Sequence, residues 1–209
     1  MPQQPFEPVS GAVTRLYAPG EDAAVADYEP GDFILTHGNT WVSRLIRVGQ
    51  RLRFWGADRK YAWWNHTAMI VSPDGKLIEA LGAGVLLTHI SRYKHTQYHL
   101  VHLGDTADPH DREQVVEFAQ WCRGQKYGYL TIVSIALSLL TGGKFTFGFD
   151  GQSICSGLVA RALERTDAIF NRSPSHTMPA DLAKYFQVEP PDPSSDIGEI
   201  PPTPKEASQ

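Results

Sequence analysis

The sequence predicts an α+β domain, because strand-like and helix-like segments occupy different parts of the chain. The strand-like segments are short and fall between residues 33 and 103. Amphipathic helices follow at 111–123 and within 152–164, with apolar residues at the spacing of one buried helix face. The chain has 209 residues, of which 42% are hydrophobic and 20% charged, a globular composition that fits one domain with a core.

The first strand and helix are predicted between residues 33 and 48. Residues 1–28 carry few periodic signals, so we expect an arm ahead of the domain. A turn signal at 28–32 precedes a short strand at 33–36. A helix is then predicted at 40–48, where apolar and basic residues occupy different faces.

The segment 41–64 is both basic and aromatic. Its members are Arg44, Arg47, Arg51, Arg53, Arg59 and Lys60, with Trp41, Phe54, Trp55, Trp63 and Trp64. One interpretation is a rim that binds an anionic or amphiphilic substrate or contacts a membrane surface. We favour the other interpretation, a solvated helix face beside core aromatics. Nucleic acid is not an expected partner, because the net charge is −4 and no recognised binding module surrounds the cluster.

A β-hairpin is predicted across residues 65–81, with a proline- and glycine-containing turn at its centre. A two- or four-residue connection would pair Glu79 with Ala68 or Ile70, which share a strand face with His66. The Glu79 carboxylate would then lie one diagonal step from the His66 imidazole. A three-residue loop would break this parity.

Further strands are predicted at 85–90 and 97–103. Three histidines, His95, His99 and His102, lie in or beside the second of these strands. Their spacing does not place them on one face, and the chain has no HExxH motif and no nearby cysteine pair. We therefore do not expect a metal site, and nothing in the sequence calls for an organic cofactor.

The second half of the chain alternates helical and polar segments. The helix at 111–123 carries Cys122 on its inner face, which predicts a core residue. Residues 130–140 are mostly apolar and are predicted to form a buried helix or a lipid- or acyl-facing wall, too short to span a bilayer. A short helix is predicted within 178–186. Residues 188–209 are rich in proline and acids, which predicts a disordered tail.

Cys155 lies in the first turn of its predicted helix, after a glycine-bounded loop, with Ser153 as the expected N-cap. A thiol there lies beside unpaired backbone N–H groups and the positive end of the helix dipole, and both favour a thiolate. The thiolate is a nucleophile, and the same N–H groups can bind an oxyanion. The alternative is a small core residue on a buried helix face.

Several of these segments together resemble the NlpC/P60 cysteine peptidases. Residues 155–159 (CSGLV) are similar to the nucleophile motif, and 124–129 to the glycine-tyrosine element that precedes it. A histidine before the cysteine resembles the order in the circularly permuted papain-like branch, the YiiX/YaeF-like amidases, which are related to the lecithin retinol acyltransferase group. The resemblance covers about residues 29–187. Its other matching segments are Gly31–Asp32, Asn65–Val71, Leu77–Ala80, Gly84–Val85 and Pro179–Leu182.

The resemblance implies a permuted papain-like fold, in which a small antiparallel sheet or barrel packs against the cysteine helix. It implies that Cys155 is the nucleophile and that His66 acts first as general base and later as acid. Glu79 would orient the imidazole and stabilise its charged form. Either Tyr127 or Tyr129 would support the oxyanion, alongside the backbone N–H of Cys155.

These expectations indicate hydrolysis of an amide bond in a peptidoglycan-type or other short peptide. The alternatives are an acyltransferase, lipid thioesterase or phospholipase that uses the same residues on an acyl substrate, and a non-catalytic binding module with the same fold. The N-terminal residues do not resemble a secretion signal, and only two cysteines are present. We therefore expect a reducing, cytoplasmic compartment, with release by lysis as an alternative.

Overall fold

The computed structural model describes residues 12–38, 41–127, 152–153, 155–166 and 177–192. These residues form a six-stranded antiparallel sheet with helices packed against one of its faces. The strands are β1 (Val13–Tyr17), β2 (Phe33–Thr36), β3 (His66–Ile70), β4 (Lys76–Leu81), β5 (Gly84–His89) and β6 (Tyr98–His102). Their order across the sheet is β1-β6-β2-β3-β4-β5.

Four α-helices lie within the described ranges: α1 (Trp41–Arg53), α2 (Pro109–Trp121), α3 (Cys155–Leu163) and α4 (Pro179–Tyr185). Short 3-10 segments occur at Val25–Asp27, Gly56–Trp63, Ile90–Tyr93 and Gly104–Thr106. A two-residue parallel pair, β7 (Lys126–Tyr127) and β8 (Gln152–Ser153), is separate from the main sheet. None of the described helices has the length and apolar character needed to cross a bilayer.

The predicted α+β class is confirmed, because helices pack against one face of an antiparallel sheet. Across the described ranges the sheet is open, with β1 and β5 at its edges, so the strands do not close into the barrel that was the alternative to a sheet. The strands predicted at 33–36, 85–90 and 97–103 are present within one residue at each end.

Alternation along the strands divides the side chains between two cores. The core on the helix side contains Phe33, Leu35, Met69, Ile78 and Val101, packed with Leu158, Val159 and Leu163 of α3. The opposite core contains Ile34, Ala68, Ile70, Leu77 and Leu100 with Tyr17, Tyr93 and Tyr98. His66 follows the alternation of Ala68 and Ile70, as the sequence predicts.

The first strand was not predicted, because residues 13–17 fall within the expected arm 1–28. They pair with β6 from Val13↔His102 to Tyr17↔Tyr98. Of the five residues only Tyr17 is buried, and its ring stacks on that of Tyr98 with 5.0 Å between centroids. An edge strand with one buried side chain leaves no alternating apolar pattern in the sequence.

A buried carboxylate fixes the start of β2. Asp32 is fully buried, and its Oδ1 accepts hydrogen bonds from the Leu103 backbone N–H at 3.0 Å and from Arg112 Nη1 at 2.9 Å. Its Oδ2 accepts from the Glu29 backbone N–H at 2.8 Å and also contacts His102 Nδ1. One side chain therefore joins β2, the end of β6 and α2.

Three predicted boundaries differ from the structure. The predicted helix at 40–48 extends to Arg53. Helix α2 begins at Pro109 instead of 111, because the Asp108 side chain caps it by accepting from the Asp111 backbone N–H at 2.8 Å. Val188, predicted to open the tail, is fully buried. The predicted segment 130–140 and residues 193–209 lie outside the described residues.

Candidate active site

The β3–β4 hairpin has a register that puts Glu79 on the same face of the sheet as His66, as the sequence analysis required. Ile70 pairs with Leu77, and this register continued along both strands places Glu79 opposite Ala68. Glu79 is thereby one diagonal step from His66, whose Nε2 lies 2.7 Å from Glu79 Oε2. The sequence prediction of a histidine–glutamate contact on this hairpin is confirmed.

Cys155, the first residue of α3, lies close enough to the imidazole to act on it. Its hydrogen bond and charge raise the pKa of His66 together with those of Glu79. Nε2 of the ring faces the Glu79 carboxylate. Cys155 is only 2% exposed and Glu79 is fully buried, while the His66 side chain keeps 12% of its surface accessible. The structure thus brings the three predicted residues close together.

The pKa values of His66 and Glu79 are both shifted by their contact with each other. Burial lowers the pKa of His66, but hydrogen bonds to Cys155 and Glu79 outweigh burial and raise the pKa from 6.5 to about 10. Burial raises the pKa of Glu79, yet the hydrogen bond and charge of His66 hold it below its usual range. A protonated ring beside an ionised carboxylate is therefore the stable state at neutral pH.

Two further residues hold the carboxylate in place. Thr88 Oγ1 donates to Glu79 Oε1 at 2.5 Å, and the buried Tyr93 hydroxyl donates to Oε2, the oxygen that faces His66. Sequence reasoning missed both. The contact of Thr88 could have been predicted from the sequence. The two-residue turn between β4 and β5 pairs Leu81 with Gly84, and this register puts Thr88 diagonal to Glu79. Tyr93 lies in a 3-10 segment, which has no periodic signal.

The two cysteines have different surroundings. Cys122 lies at the end of α2 in the helix-side core, as predicted, and burial raises the pKa of its thiol. Cys155 instead raises the pKa of a neighbouring histidine, and it lies at the start of a helix whose first-turn N–H groups have no intrahelical acceptor. The next residue, Ser156, donates to the Thr177 carbonyl at 2.6 Å and fixes this turn against the segment before α4.

The expected N-cap and the expected tyrosines have different outcomes. Ser153 lies in β8, two positions ahead of the first described residue of α3, and its role as the N-cap of this helix stays a prediction. Tyr127 pairs with Ser153 in the β7–β8 bridge, which puts the Tyr127 backbone beside the segment that enters α3. Tyr129 lies outside the described residues.

The histidines near β6 have separate environments. His102 contacts the Asp32 carboxylate, while His99 packs edge-on against Trp64, with 5.5 Å between ring centroids. Burial lowers the pKa of His99 to about 4. Among the described residues, no three histidine, cysteine or acidic side chains are grouped as metal ligands would be.

Replacing Glu79 with glutamine is expected to lower the pKa of His66 from about 10, because the hydrogen bond and charge of Glu79 help to raise it. The folded-state pKa lies above the ordinary value of 6.5, so the protonated ring stabilises the fold fully below 6.5 and loses this effect as pH rises through about 10. The Glu79→Gln variant should lose this stabilisation at a lower pH than the native protein does. A titration of the His66 ring C–H resonance by NMR measures the change.

Thr88→Val is the matched control for this titration, since Thr88 bonds the carboxylate oxygen that faces away from His66. It should leave the His66 midpoint much closer to that of the native protein. An unchanged midpoint in Glu79→Gln would contradict the coupling between the carboxylate and the ring.

No family model matches this sequence, and no curated protein matches it significantly. The geometry around Cys155, His66 and Glu79 is therefore the main basis for a functional proposal.

Proposed function

We propose that this protein is a cysteine hydrolase with a permuted papain-like fold, which cleaves an amide bond in a peptidoglycan-type or other short peptide. The observation that carries the proposal is one imidazole, that of His66, which contacts the buried Glu79 carboxylate and whose pKa is raised by Cys155 as well. This order of nucleophile, proton carrier and orienting acid is the one that acyl transfer through a covalent intermediate needs. The sequence resemblance to the permuted NlpC/P60 branch supports the same conclusion.

The charges of His66 and Glu79 suit a reaction in which Cys155 is the nucleophile. The ring of His66 is protonated at neutral pH, since its pKa is raised to about 10. A positive ring stabilises negative charge on an adjacent sulfur, and so does the start of a helix. Glu79 balances the ring charge and fixes its orientation, with Thr88 and Tyr93 bonded to the carboxylate oxygens.

The first half of the reaction forms a thioester. The Cys155 thiolate attacks the carbonyl carbon of the substrate, and the resulting oxyanion accepts hydrogen bonds from backbone N–H groups at the start of α3. Tyr127 is the residue that the family resemblance assigns to the same oxyanion. His66 then donates its proton to the amide nitrogen, the C–N bond breaks, and the amine leaves.

The second half regenerates the enzyme. His66, now neutral, takes a proton from a water molecule, and the hydroxide formed attacks the thioester carbon. The C–S bond breaks, the carboxylic acid product leaves, and Cys155 and His66 return to the thiolate–imidazolium pair. No redox step and no co-substrate other than water is required.

A second candidate is hydrolysis or transfer of a lipid acyl group by the same residues. The observation in its favour is the surface of α1, where apolar side chains are exposed beside arginines. The chemical steps are the same, except that the leaving group is an alcohol or thiol instead of an amine.

Alkylation of the folded protein with iodoacetamide at neutral pH tests for a reactive thiolate. We expect Cys155 to be labelled at least about tenfold faster than Cys122, because only Cys155 adjoins a protonated ring. Peptide mass spectrometry gives both rates from one sample. Equal, slow labelling of the two cysteines would favour the non-catalytic binding module.

Trapping the acyl-enzyme identifies the substrate class. The protein is mixed with cell-wall peptide fragments or with phospholipids, quenched in acid and weighed. A peptidyl adduct on Cys155 supports the amidase, and a fatty acyl adduct supports the lipid enzyme. Cys122→Ala should keep the adduct and Cys155→Ala should lose it.

A further inference from the structure

Helix α1 exposes its apolar stripe. Leu45, Val48 and Leu52 recur at three- and four-residue steps, which places them along one helical face. Trp55 follows just after the helix, in extended backbone. All four are exposed, with Val48 at 56% and Trp55 at 76% of their surface accessible. We call these four residues the α1 stripe.

The opposite side of α1, which packs against the protein, combines Ile46, packed on the helix-side core, with polar residues. Gln50 is fully buried: its side-chain amide donates to the Trp64 carbonyl at 2.8 Å and the Ala62 carbonyl at 3.3 Å. Its side-chain oxygen accepts from the Ala180 backbone N–H at 2.9 Å, and Arg53 pairs with Asp181. A helix on a globular protein ordinarily buries its apolar stripe, so the reversed orientation of α1 leaves an apolar face open to a partner.

Arginines flank the stripe on one side. Arg44 and Arg51 are exposed, and within the described ranges neither forms an ion pair. Arg47 lies between them on the same flank, with Nη1 at 2.7 Å from His37 Nε2. The helix contains no acidic residue, although the whole chain has a net charge of −4. The charge of α1 is therefore complementary to an anionic surface.

We propose that α1 docks the protein on an anionic phospholipid bilayer. The α1 stripe would enter the boundary between headgroups and acyl chains, and the flanking arginines would bind lipid phosphates, as in helices that lie in the membrane plane. Trp55, at the end of the stripe, is of the residue type that concentrates at this boundary. A protein partner with an apolar groove would explain the stripe but not the arginines beside it, unless the groove were also acidic.

The helix also lies close to the candidate active site. Gly38, shortly before α1, exchanges two hydrogen bonds with the Asn65 side chain, at 2.7 and 2.9 Å, and Asn65 directly precedes His66. A bilayer beneath α1 would therefore be near the His66 end of the sheet. The proposal does not depend on the reaction, because the stripe and its arginines are independent of Cys155.

Flotation of the full chain with lipid vesicles tests the proposal. We expect binding to vesicles of phosphatidylglycerol and phosphatidylcholine in equal parts, and little binding to phosphatidylcholine alone. High salt should weaken binding, since it screens the arginines. Val48→Asp should reduce binding by more than about tenfold, because it puts a charge into the stripe that would enter the bilayer. Arg44→Glu with Arg51→Glu should also reduce it by more than about tenfold.

Matched controls are present elsewhere on the surface. Val25→Asp alters a valine of similar exposure, 63%, and Arg123→Glu an exposed arginine, both outside α1. These variants should keep vesicle binding within about twofold of the native protein. The alkylation rate of Cys155 should not change in any of the four, which separates a failure of docking from a failure of the proposed chemistry.

Absence of binding to the anionic vesicles would overturn the proposal, as would binding that Val48→Asp leaves intact. If the native protein self-associates without binding lipid and Val48→Asp makes it monomeric, a second copy covers the stripe and the proposal is wrong. If Val48→Asp fails to fold, the double arginine variant decides, because its positions are exposed and lie beside the stripe.

Discussion

Replacing His66 with alanine is expected to lower kcat/KM by about 10³-fold or more, whichever acyl substrate the protein uses. The residue acts twice in the proposed reaction, as acid toward the leaving group and as base toward water, and each such role contributes roughly 10²- to 10⁴-fold. The loss is not the product of the two, because residues of one catalytic unit are strongly non-additive. The measurement is steady-state turnover of the substrate identified by trapping.

The same variant should slow iodoacetamide labelling of Cys155, since the sulfur loses the positive ring beside it. His95→Ala is the control, because His95 is exposed and does not belong to the group of Cys155, His66 and Glu79. It should change neither turnover nor labelling. Turnover that survives in His66→Ala with unchanged Cys155 labelling would contradict the assignment of this histidine.

The part of the site that the sequence predicts is the part built by local structure. His66 and Glu79 belong to one hairpin, so strand alternation and turn length decide whether they share a face. The start of α3 at Cys155 follows from the spacing of apolar residues after a glycine-bounded loop. Joining the cysteine to the hairpin was an implication of the family resemblance, because periodicity carries no information about long-range packing.

Other features depend on contacts between distant segments, which local patterns do not reveal. Tyr93 reaches Glu79 from a 3-10 segment, and Arg112 reaches Asp32 from across 80 positions.

The orientation of α1 is a different case. Its spacing reveals one apolar face and one basic face, but the same pattern suits a helix that buries the stripe and one that exposes it. Here the hydrogen bonds of Gln50 decide the orientation.

Replacing Asp32 with alanine is expected to lower the free energy of unfolding by about 3–5 kcal/mol, the usual cost of breaking a buried ion pair by removing one partner. The Arg112 guanidinium, which is 11% exposed, would lose the carboxylate with which it forms an ion pair. The backbone N–H groups of Glu29 and Leu103 would lose their acceptors as well. Because a domain of this kind is stable by only about 5–15 kcal/mol, the variant should be close to unfolding at ambient temperature.

Urea unfolding followed by circular dichroism measures the change, and Asp32→Asn separates charge from shape. The amide keeps an oxygen for Arg112 but no longer balances its charge, so it should fall between the native protein and the alanine variant. Glu189→Ala is the matched control, since Glu189 pairs with Lys60 at the surface, where both side chains are largely exposed and the pair is expected to add no measurable stability. If Asp32→Ala unfolds at the same urea concentration as Glu189→Ala, the carboxylate does not hold β2, β6 and α2 together.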